Sequence, residues 1–161
     1  MLFRSAAKGF AWGAGLPCYG VPTLEAMALS LGIHQGYVVA AMDARRSQVY
    51  TATFRAVKGE LIRITEDRAI SLAELQEELK ILPETIFLVG DGSNLCYNTL
   101  NEAVPQLVLP PEHRQHQRSV GVALAAMAAI ARGESGDCAA LEPNYLRLSQ
   151  AERERLARES K

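Results

Sequence analysis

The sequence predicts an α/β protein built on a mixed sheet. Its clearest signal is the apolar run Val38 to Met42, which is typical of a strand buried on both faces. The run Gln48 to Thr53 follows almost at once and alternates apolar and polar side chains, as expected of a neighbouring strand with one face covered. Helical patterns flank this pair, and they predict helices packed on the sheet because its apolar faces must be buried.

The composition bounds the class of protein. The 161 residues allow one domain or two small lobes with a sizeable core. The formal net charge of −1 gives no field that would attract nucleic acid to the whole molecule. The three cysteines form no CxxC pair, so we expect reduced, structural thiols in a cytoplasmic protein. No apolar run approaches the roughly 18 residues that span a bilayer, and no membrane partner is expected.

The start of the chain carries the patterns of a helix, a short strand and a second helix, over Ala6–Ala14, Leu16–Val21 and Leu24–Leu31. Ser5 is expected to cap the first helix, and Gly15 to end it. A lone strand cannot bury its faces, so this part is an incomplete α/β layer.

The remaining patterns complete a second layer. They predict a third antiparallel strand, a helix, a strand, a helix, a short strand and a last helix, over Glu60–Ile70, 72–82, Ile86–Val89, 95–103, Leu107–Leu109 and Val120–Arg132. Ser71 and Glu74 form a capping box at the first of these helices. Ser119 should cap the last helix, which is apolar almost all round and so should be buried on several sides. This order describes an RNase H-like lobe.

The turn between the two central strands is the first candidate site. Asp43, Arg45 and Arg46 stand where ATPases built from two such lobes wrap the phosphates of a nucleotide. A phosphate cradle needs small residues, so that backbone N–H groups can approach the ligand. The two arginines could attract an anion, but the missing glycines favour a degenerate phosphate turn or a plain solvated hairpin.

The segment Gly90-Asp-Gly-Ser-Asn94 is the second candidate. A glycine-rich step from strand to helix can offer free N–H groups to an adenosine or a phosphate. Such a step also needs glycines and an N-cap for purely structural reasons, and Ser93 or Asp91 could supply the cap. We therefore interpret Gly90 and Gly92 as a degenerate nucleotide turn.

No metal or cofactor is expected. His113 and His116 have the spacing of metal ligands, with Glu112 nearby, but they lie in a polar loop without a second pair of ligands. Neither an HExxH motif nor a Ser–His–Asp set can be assembled from the sequence.

The first helix carries two large aromatic side chains, Phe10 and Trp12. If the first layer is incomplete, they form an exposed apolar patch that fits a partner. Alternatively they pack on the alanine-rich last helix, and the sequence leaves both readings open.

Several motifs together resemble the bacterial TsaB (YeaZ) family. In chain order they are AKGFAWGAGLP at 7–17, GVPTL at 20–24, AAMDAR at 40–45 followed by VY at 49–50, and PNYLR at 143–147. Each is weak alone, but their shared order along nearly the whole chain is specific.

The resemblance implies a two-lobe actin-like ATPase (ASKHA, RNase H-like) fold. Family members begin with further strands and a GPGSFTG-like segment that do not match this chain, so we expect a chain that lacks the N-terminal part. The expected division is a remnant of the N-terminal lobe at 1–32, a complete lobe at 33–132 whose last helix packs between lobes, and an extension with a charged tail at 133–161. In that extension, Tyr145 and Arg147 are expected to dock across the core.

The resemblance also implies a function. The chain would be a non-catalytic scaffold subunit for making N6-threonylcarbamoyladenosine on tRNA, with a TsaD-type paralogue and a TsaE-type ATPase as partners and tRNA bound only through the complex. Lys8, Phe10 and Trp12 would contact the partner. The alternatives are a module that associates with a second copy of itself and a degenerate peptidase-like or kinase-like enzyme of the same fold.

Overall fold

The computed structural model describes residues 2–33, 35–134, 136–146 and 158. Six strands form one sheet: β1 Gln35–Arg45, β2 Gln48–Val57, β3 Glu60–Arg63, β4 Arg68–Ser71, β5 Ile86–Val89 and β6 Leu107–Val108. The helices are α1 Leu2–Ala14, α2 Thr23–Leu31, α3 Leu72–Lys80, α4 Ser93–Leu100, α5 Glu112–Gln115 and α6 Ser119–Ala131. Over these described ranges, no helix is long and apolar enough to cross a bilayer.

The strand order confirms the predicted mixed sheet. The order is β3-β2-β1-β5-β6, and β4 pairs with the other half of β2. The pairs of β2 with β1, β3 and β4 are antiparallel, whereas β5 runs parallel to β1 and to β6. Three antiparallel strands followed by two parallel ones is the arrangement expected of an RNase H-like lobe.

Helices cover both faces of the sheet. Tyr37, Val39 and Ala41 of β1 belong to a core cluster with α3 and α4, and the alternate residues Val38 and Ala40 belong to a second cluster with α2. Strand β2 is buried on both faces as well, with Val49 in the first cluster and Phe54 in the second. The expectation that β2 has one open face was therefore wrong, because α2 covers the face of Ala52 and Phe54 while the opposite face, with Val49, lies in the cluster of α3 and α4.

Two strand predictions need correction. The expected strand Glu60–Ile70 is two strands, because the chain leaves the ladder between β3 and β4. There the N–H groups of Ile64 and Thr65 both donate to the Thr53 carbonyl, at 2.8 and 3.2 Å. The segment Leu16–Val21 is not a strand; its Cys18 N–H instead donates to the Gly136 carbonyl.

The capping box at α3 is confirmed. The Ser71 hydroxyl accepts the Glu74 N–H at 3.2 Å, and the Glu74 carboxylate accepts the Ser71 N–H at 2.8 Å. Gly15 and Gly32 follow α1 and α2 with φ of 62° and 65°, the left-handed conformation that ends helices.

The other predicted caps were wrong. α1 begins at Leu2, so Ser5 lies inside it; Arg118 is the N-cap of α6; and Gly92, without a side-chain bond, is the N-cap of α4. α4 also ends at Leu100, earlier than predicted.

Helix α6 is buried on one side only. Gly121, Ala125 and Ala129 face α2, and an ideal Cβ on Gly121 would lie 2.0 Å from the Ala26 carbonyl oxygen. The other side exposes large apolar side chains, those of Val120, Leu124, Met127 and Ile130. The prediction of burial on several sides was therefore wrong, because small residues bring only one face close to a neighbouring helix.

Candidate functional site

The hairpin that joins β1 to β2 is tighter than predicted. β1 runs through Arg45, with a bulge between Asp43 and Arg45, and only Arg46 and Ser47 form the turn. Arg45, Arg46 and Ser47 have φ values of 62°, 55° and 55°. Side-chain-bearing residues seldom adopt this conformation, so the turn is strained.

This hairpin offers an anion little besides its arginines. The Asp43 carboxylate accepts the Arg45 N–H at 2.7 Å, which occupies one donor and places a negative charge beside the turn. Each of the residues 45–47 also carries a side chain where a phosphate would need open backbone. The arginine side chains are exposed. The interpretation of Asp43, Arg45 and Arg46 as a degenerate phosphate turn stays a prediction, and this geometry agrees with it.

The turn from β5 to α4 is filled by the chain's own atoms. The Gly90 N–H donates to the Gln115 carbonyl at 2.6 Å, and the Gly92 N–H donates to the Ala41 carbonyl at 3.0 Å. An ideal Cβ on Gly90 would lie 2.1 Å from the Ala41 oxygen, and one on Gly92 would lie 3.1 Å from it. The glycines therefore let the turn approach β1, and their N–H groups are already used.

The side chain of Gln115 seals the same turn. Its amide nitrogen donates to the Pro110 carbonyl at 2.7 Å, and its amide oxygen accepts the Ser93 hydroxyl at 3.3 Å. The polar loop predicted here is in fact the short helix α5, with Gln115 buried at its end. Sequence analysis missed this residue; the proline pair at 110–111 was the available signal, because proline is favoured at a helix start.

The histidines of this region are exposed. His113 and His116, with Glu112, lie on the outer side of α5 and just after it. Within the described part of the chain, no group of three or more His, Cys, Asp or Glu side chains could hold a metal ion. His34 lies outside the described residues.

Both aromatic side chains of α1 are open to solvent. Phe10 is 82% exposed and Trp12 is 73% exposed, so the alternative in which they pack on α6 is wrong. Residues that are two positions apart on a helix differ in direction by about 200°. The rings of Phe10 and Trp12 therefore point to different sides of α1 and do not form one patch. Their role as partner contacts stays a prediction.

Lys8 has a role inside the chain. Its ammonium group donates to the carbonyl oxygens of Ala139 and Leu141, at 3.3 and 3.2 Å. A cavity of about 220 Å³ lies beside it, lined by Lys8, Gly9, Trp12, Cys138 and Ala139. The Trp12 side of α1 therefore faces the segment near residue 139, and the Phe10 side faces away from that segment.

A larger cavity, of about 550 Å³, lies between residues 20–24, the β1–β2 pair and residues 142–146. Tyr145 lines this cavity but is 72% exposed, so the expectation that it docks across the core was wrong. Arg147, expected to dock with it, lies outside the described residues. Asp67 also lines the cavity, from the loop between β3 and β4.

An ion-pair network fixes the wall of this cavity. Arg63 contacts Asp67 at 2.6 Å and Glu25 of α2 at 3.0 Å, and its guanidinium carbon lies 4.7 Å from the centre of the Phe54 ring. Partial burial pulls the pKa of Arg63 down, but the hydrogen bonds to Asp67 and Glu25 and the negative charges of these two carboxylates together outweigh this effect, and the pKa is raised. The network joins α2 to the edge of the sheet.

The chain is similar to known proteins over nearly its whole length. The family model described as tRNA N6-adenosine threonylcarbamoyltransferase (TsaD) matches residues 4–155. The chain belongs to this family. Within the family it belongs with the TsaB (YeaZ) proteins: it is 29% identical over 147 residues to the tRNA threonylcarbamoyladenosine biosynthesis protein TsaB of Bacillus subtilis (strain 168), a match that covers 91% of this chain and 62% of that protein.

Two solved structures share the fold. One is an uncharacterized protein with similarity to peptidase YEAZ from Pseudomonas aeruginosa, at 23% identity and a TM-score of 0.67, covering 89% of this chain and 65% of that one. The other is YeaZ from Pseudomonas aeruginosa, at 21% identity and a TM-score of 0.62, covering 89% and 66%. The actin-like ATPase fold class is thus confirmed, and the chain spans just under two thirds of the length of these relatives.

Proposed function

We propose that the chain is a non-catalytic scaffold subunit in the formation of N6-threonylcarbamoyladenosine on tRNA, and that it works by binding a TsaD-type transferase. Membership of the TsaB (YeaZ) group supports this role. The observation that carries the non-catalytic part is the closed turn before α4. There the N–H groups of Gly90 and Gly92 are bonded to Gln115 and Ala41, so they are not available to a nucleotide.

The proposed partner surface is α1, with Phe10 as its main contact. An exposed phenylalanine on a helix is a typical anchor for a partner, because its burial removes a large apolar area from water. Lys8 and Trp12 lie on another side of α1, where they border the segment near Ala139, and they would add further contacts to a partner that reaches around the helix. We also propose the division into a lobe remnant at 1–32, a lobe at 33–132 and an extension at 133–161.

In the proposed complex, the tRNA is bound by the other subunits. With a net charge of −1, this chain supplies no broad attraction for phosphates, so tRNA would be held by the transferase and its complex. A TsaE-type ATPase would join the same complex. If α1 bound a second copy of the chain instead, the protein would be a self-associating module.

Reconstitution tests the proposal. Unmodified tRNA would be incubated with a TsaD-type transferase, a TsaE-type ATPase and threonylcarbamoyl-adenylate, with or without this chain, and the modified nucleoside measured by mass spectrometry. We expect no product from the chain alone and a yield at least about tenfold higher when it is added to the other proteins, a factor within the usual range of coupling between binding partners. Product from the chain alone, or an unchanged yield, would contradict the proposal.

A further inference from the structure

Two cysteines that are distant in sequence lie on neighbouring segments. The linker between α1 and α2 runs beside residues 136–138, where the Cys18 N–H donates to the Gly136 carbonyl at 3.0 Å. The Cys138 thiol donates to the Leu16 carbonyl, with sulfur and oxygen 3.7 Å apart. An ideal Cβ on Gly136 would lie 3.0 Å from the Cys18 nitrogen, so glycine lets the two segments approach closely.

The two thiols interact with each other. Both are reduced, Cys138 is buried and Cys18 is partly buried. Burial raises the pKa of the Cys138 thiol, and the neighbouring Cys18 thiol raises it further. The backbone bond from Cys18 to Gly136 brings the two cysteines onto adjoining segments, and an intramolecular disulfide forms between thiols that lie close together.

A small oxidant has a path to this pair. The cavity of about 220 Å³ is lined by Cys138 and by Lys8, and it is much larger than a peroxide molecule. The positive charge of Lys8 partly offsets the rise in the pKa of Cys138, which stays above its ordinary value. The third cysteine differs: Cys96 lies fully buried on the inner side of α4, and burial raises its pKa to about 12.

We propose that Cys18 and Cys138 form a reversible disulfide that fastens residues 136–141 to the linker between α1 and α2. The oxidant would be a hydroperoxide such as hydrogen peroxide. One thiol loses its proton and its sulfur attacks a peroxide oxygen, which forms a sulfenic acid as the O–O bond breaks and water leaves. The second sulfur then displaces the sulfenic hydroxyl group, which takes up the remaining thiol proton and leaves as water. Two thiols are oxidised and one peroxide is reduced to two waters.

The disulfide would strengthen contacts that are now made by a few hydrogen bonds. Residues 136–141 are held by Gly136 on the linker and by Lys8, which bonds to Ala139 and Leu141. A covalent link would close a loop from residue 18 to residue 138, and a long closed loop restricts the unfolded chain strongly. This inference stands apart from the proposed role in tRNA modification, because it needs only the chain itself.

Peptide mapping of the whole native chain tests the proposal. The protein would be treated with hydrogen peroxide, quenched with catalase, denatured in iodoacetamide and digested without reduction. We expect a linked pair of peptides carrying Cys18 and Cys138, lighter than the two thiol peptides by two hydrogen atoms, while Cys96 is recovered alkylated. Dithiothreitol should reverse the link. The oxidised chain should melt roughly 5–10 °C higher than the reduced chain.

Matched variants separate the disulfide from general oxidation. Cys18→Ser and Cys138→Ser should each abolish both the linked peptides and the rise in melting temperature. The proposal would be overturned if the native wild-type chain gave sulfinic acids, bonds between chains or links to Cys96 in place of the Cys18–Cys138 link. It would equally be overturned if the link formed without a rise in melting temperature. The wild-type map decides the question even if a variant folds poorly.

Discussion

Gly90 leaves β5 with a φ of 101°, and its missing side chain makes room for the Ala41 carbonyl of β1. Gly133 has a similar φ of 77°, but an ideal Cβ there would meet nothing within 4 Å. A comparison of Gly90 and Gly133 separates two costs of replacing a glycine by a residue with a side chain. One is the backbone conformation, which both positions share, and the other is the contact with β1, which only Gly90 makes.

We therefore expect Gly90→Ala to lower the free energy of unfolding by about 3 kcal/mol or more, and Gly133→Ala by about 1–2 kcal/mol. Urea denaturation followed by circular dichroism measures both. Equal losses for the two variants would mean that the β5–α4 turn can move away from β1. Close packing on β1 would then not be what keeps the N–H groups of this turn from binding a nucleotide.

The capping box at α3 makes stability depend on pH. Hydrogen bonds from the Ser71 hydroxyl and then from its backbone N–H lower the pKa of Glu74 below its ordinary value of 4.5. A lowered pKa in the folded state means that the contribution is present above pH 4.5 and is lost as the pH falls through the lowered value. The carboxylate, and not the neutral acid, stabilises the helix start.

Glu74→Gln should therefore destabilise the chain at pH 7 and change stability little at pH 3. Denaturant midpoints of wild type and variant at the two pH values check this. Glu102→Gln, which alters an exposed carboxylate after α4, is the control and should have little effect at either pH. A Glu74→Gln effect that is equally large at pH 3 would show that charge is not what stabilises the capping box.

At the scale of elements, local patterns and long-range contacts differ in how well sequence predicts them. The apolar run of β1, the Ser71 capping box and the Gly15 end of α1 are local features, and each was predicted correctly. The division of Glu60–Ile70 into β3 and β4 arises because the two strands pair with different halves of β2. A local sequence pattern does not predict this pairing. The same is true of Gln115, whose partners Ser93 and Pro110 are supplied by other parts of the fold.

Helices α2 and α6 pack closely at a glycine, Gly121 of α6. An ideal Cβ on Gly121 would lie 2.0 Å from the Ala26 oxygen and 2.2 Å from the Ser30 hydroxyl. The Ser30 hydroxyl itself donates to the Ala26 carbonyl at 2.6 Å, so the site has little room to adjust.

Gly121→Ala should consequently push α6 away from α2 and cost about 2–3 kcal/mol in the free energy of unfolding, despite the better helix propensity of alanine. Gly13→Ala on α1 is the matched control, because nothing lies within 4 Å of its ideal Cβ, and it should be neutral or stabilising by up to about 1 kcal/mol. Thermal and urea unfolding compare the two. A neutral Gly121→Ala would indicate that the α2–α6 contact is loose.

On the scale of the whole molecule, the lobe from β1 to α6 has a packed core, whereas α1 lies outside both core clusters. The sequence predicted exposed aromatic residues on α1 as one of two alternatives, and the exposure of Phe10 and Trp12 supports that alternative. The different directions of the two rings follow from their spacing along the helix. The sequence did not predict that Lys8 and Cys138 border a cavity beside Trp12, because that contact depends on residues 136–141, which return to α1 from the far end of the chain.

The central claim is that α1 binds a TsaD-type partner, and co-expression with such a protein followed by size-exclusion chromatography with mass detection tests it most directly. We expect co-elution in a defined ratio, weakened at least about tenfold in apparent affinity by Phe10→Asp, as for the loss of an anchor residue. Ile81→Asp, which changes a side chain that is 80% exposed after α3, should leave binding unchanged. A chain that elutes alone or only with copies of itself, or one that Phe10→Asp and Ile81→Asp affect equally, would contradict the account.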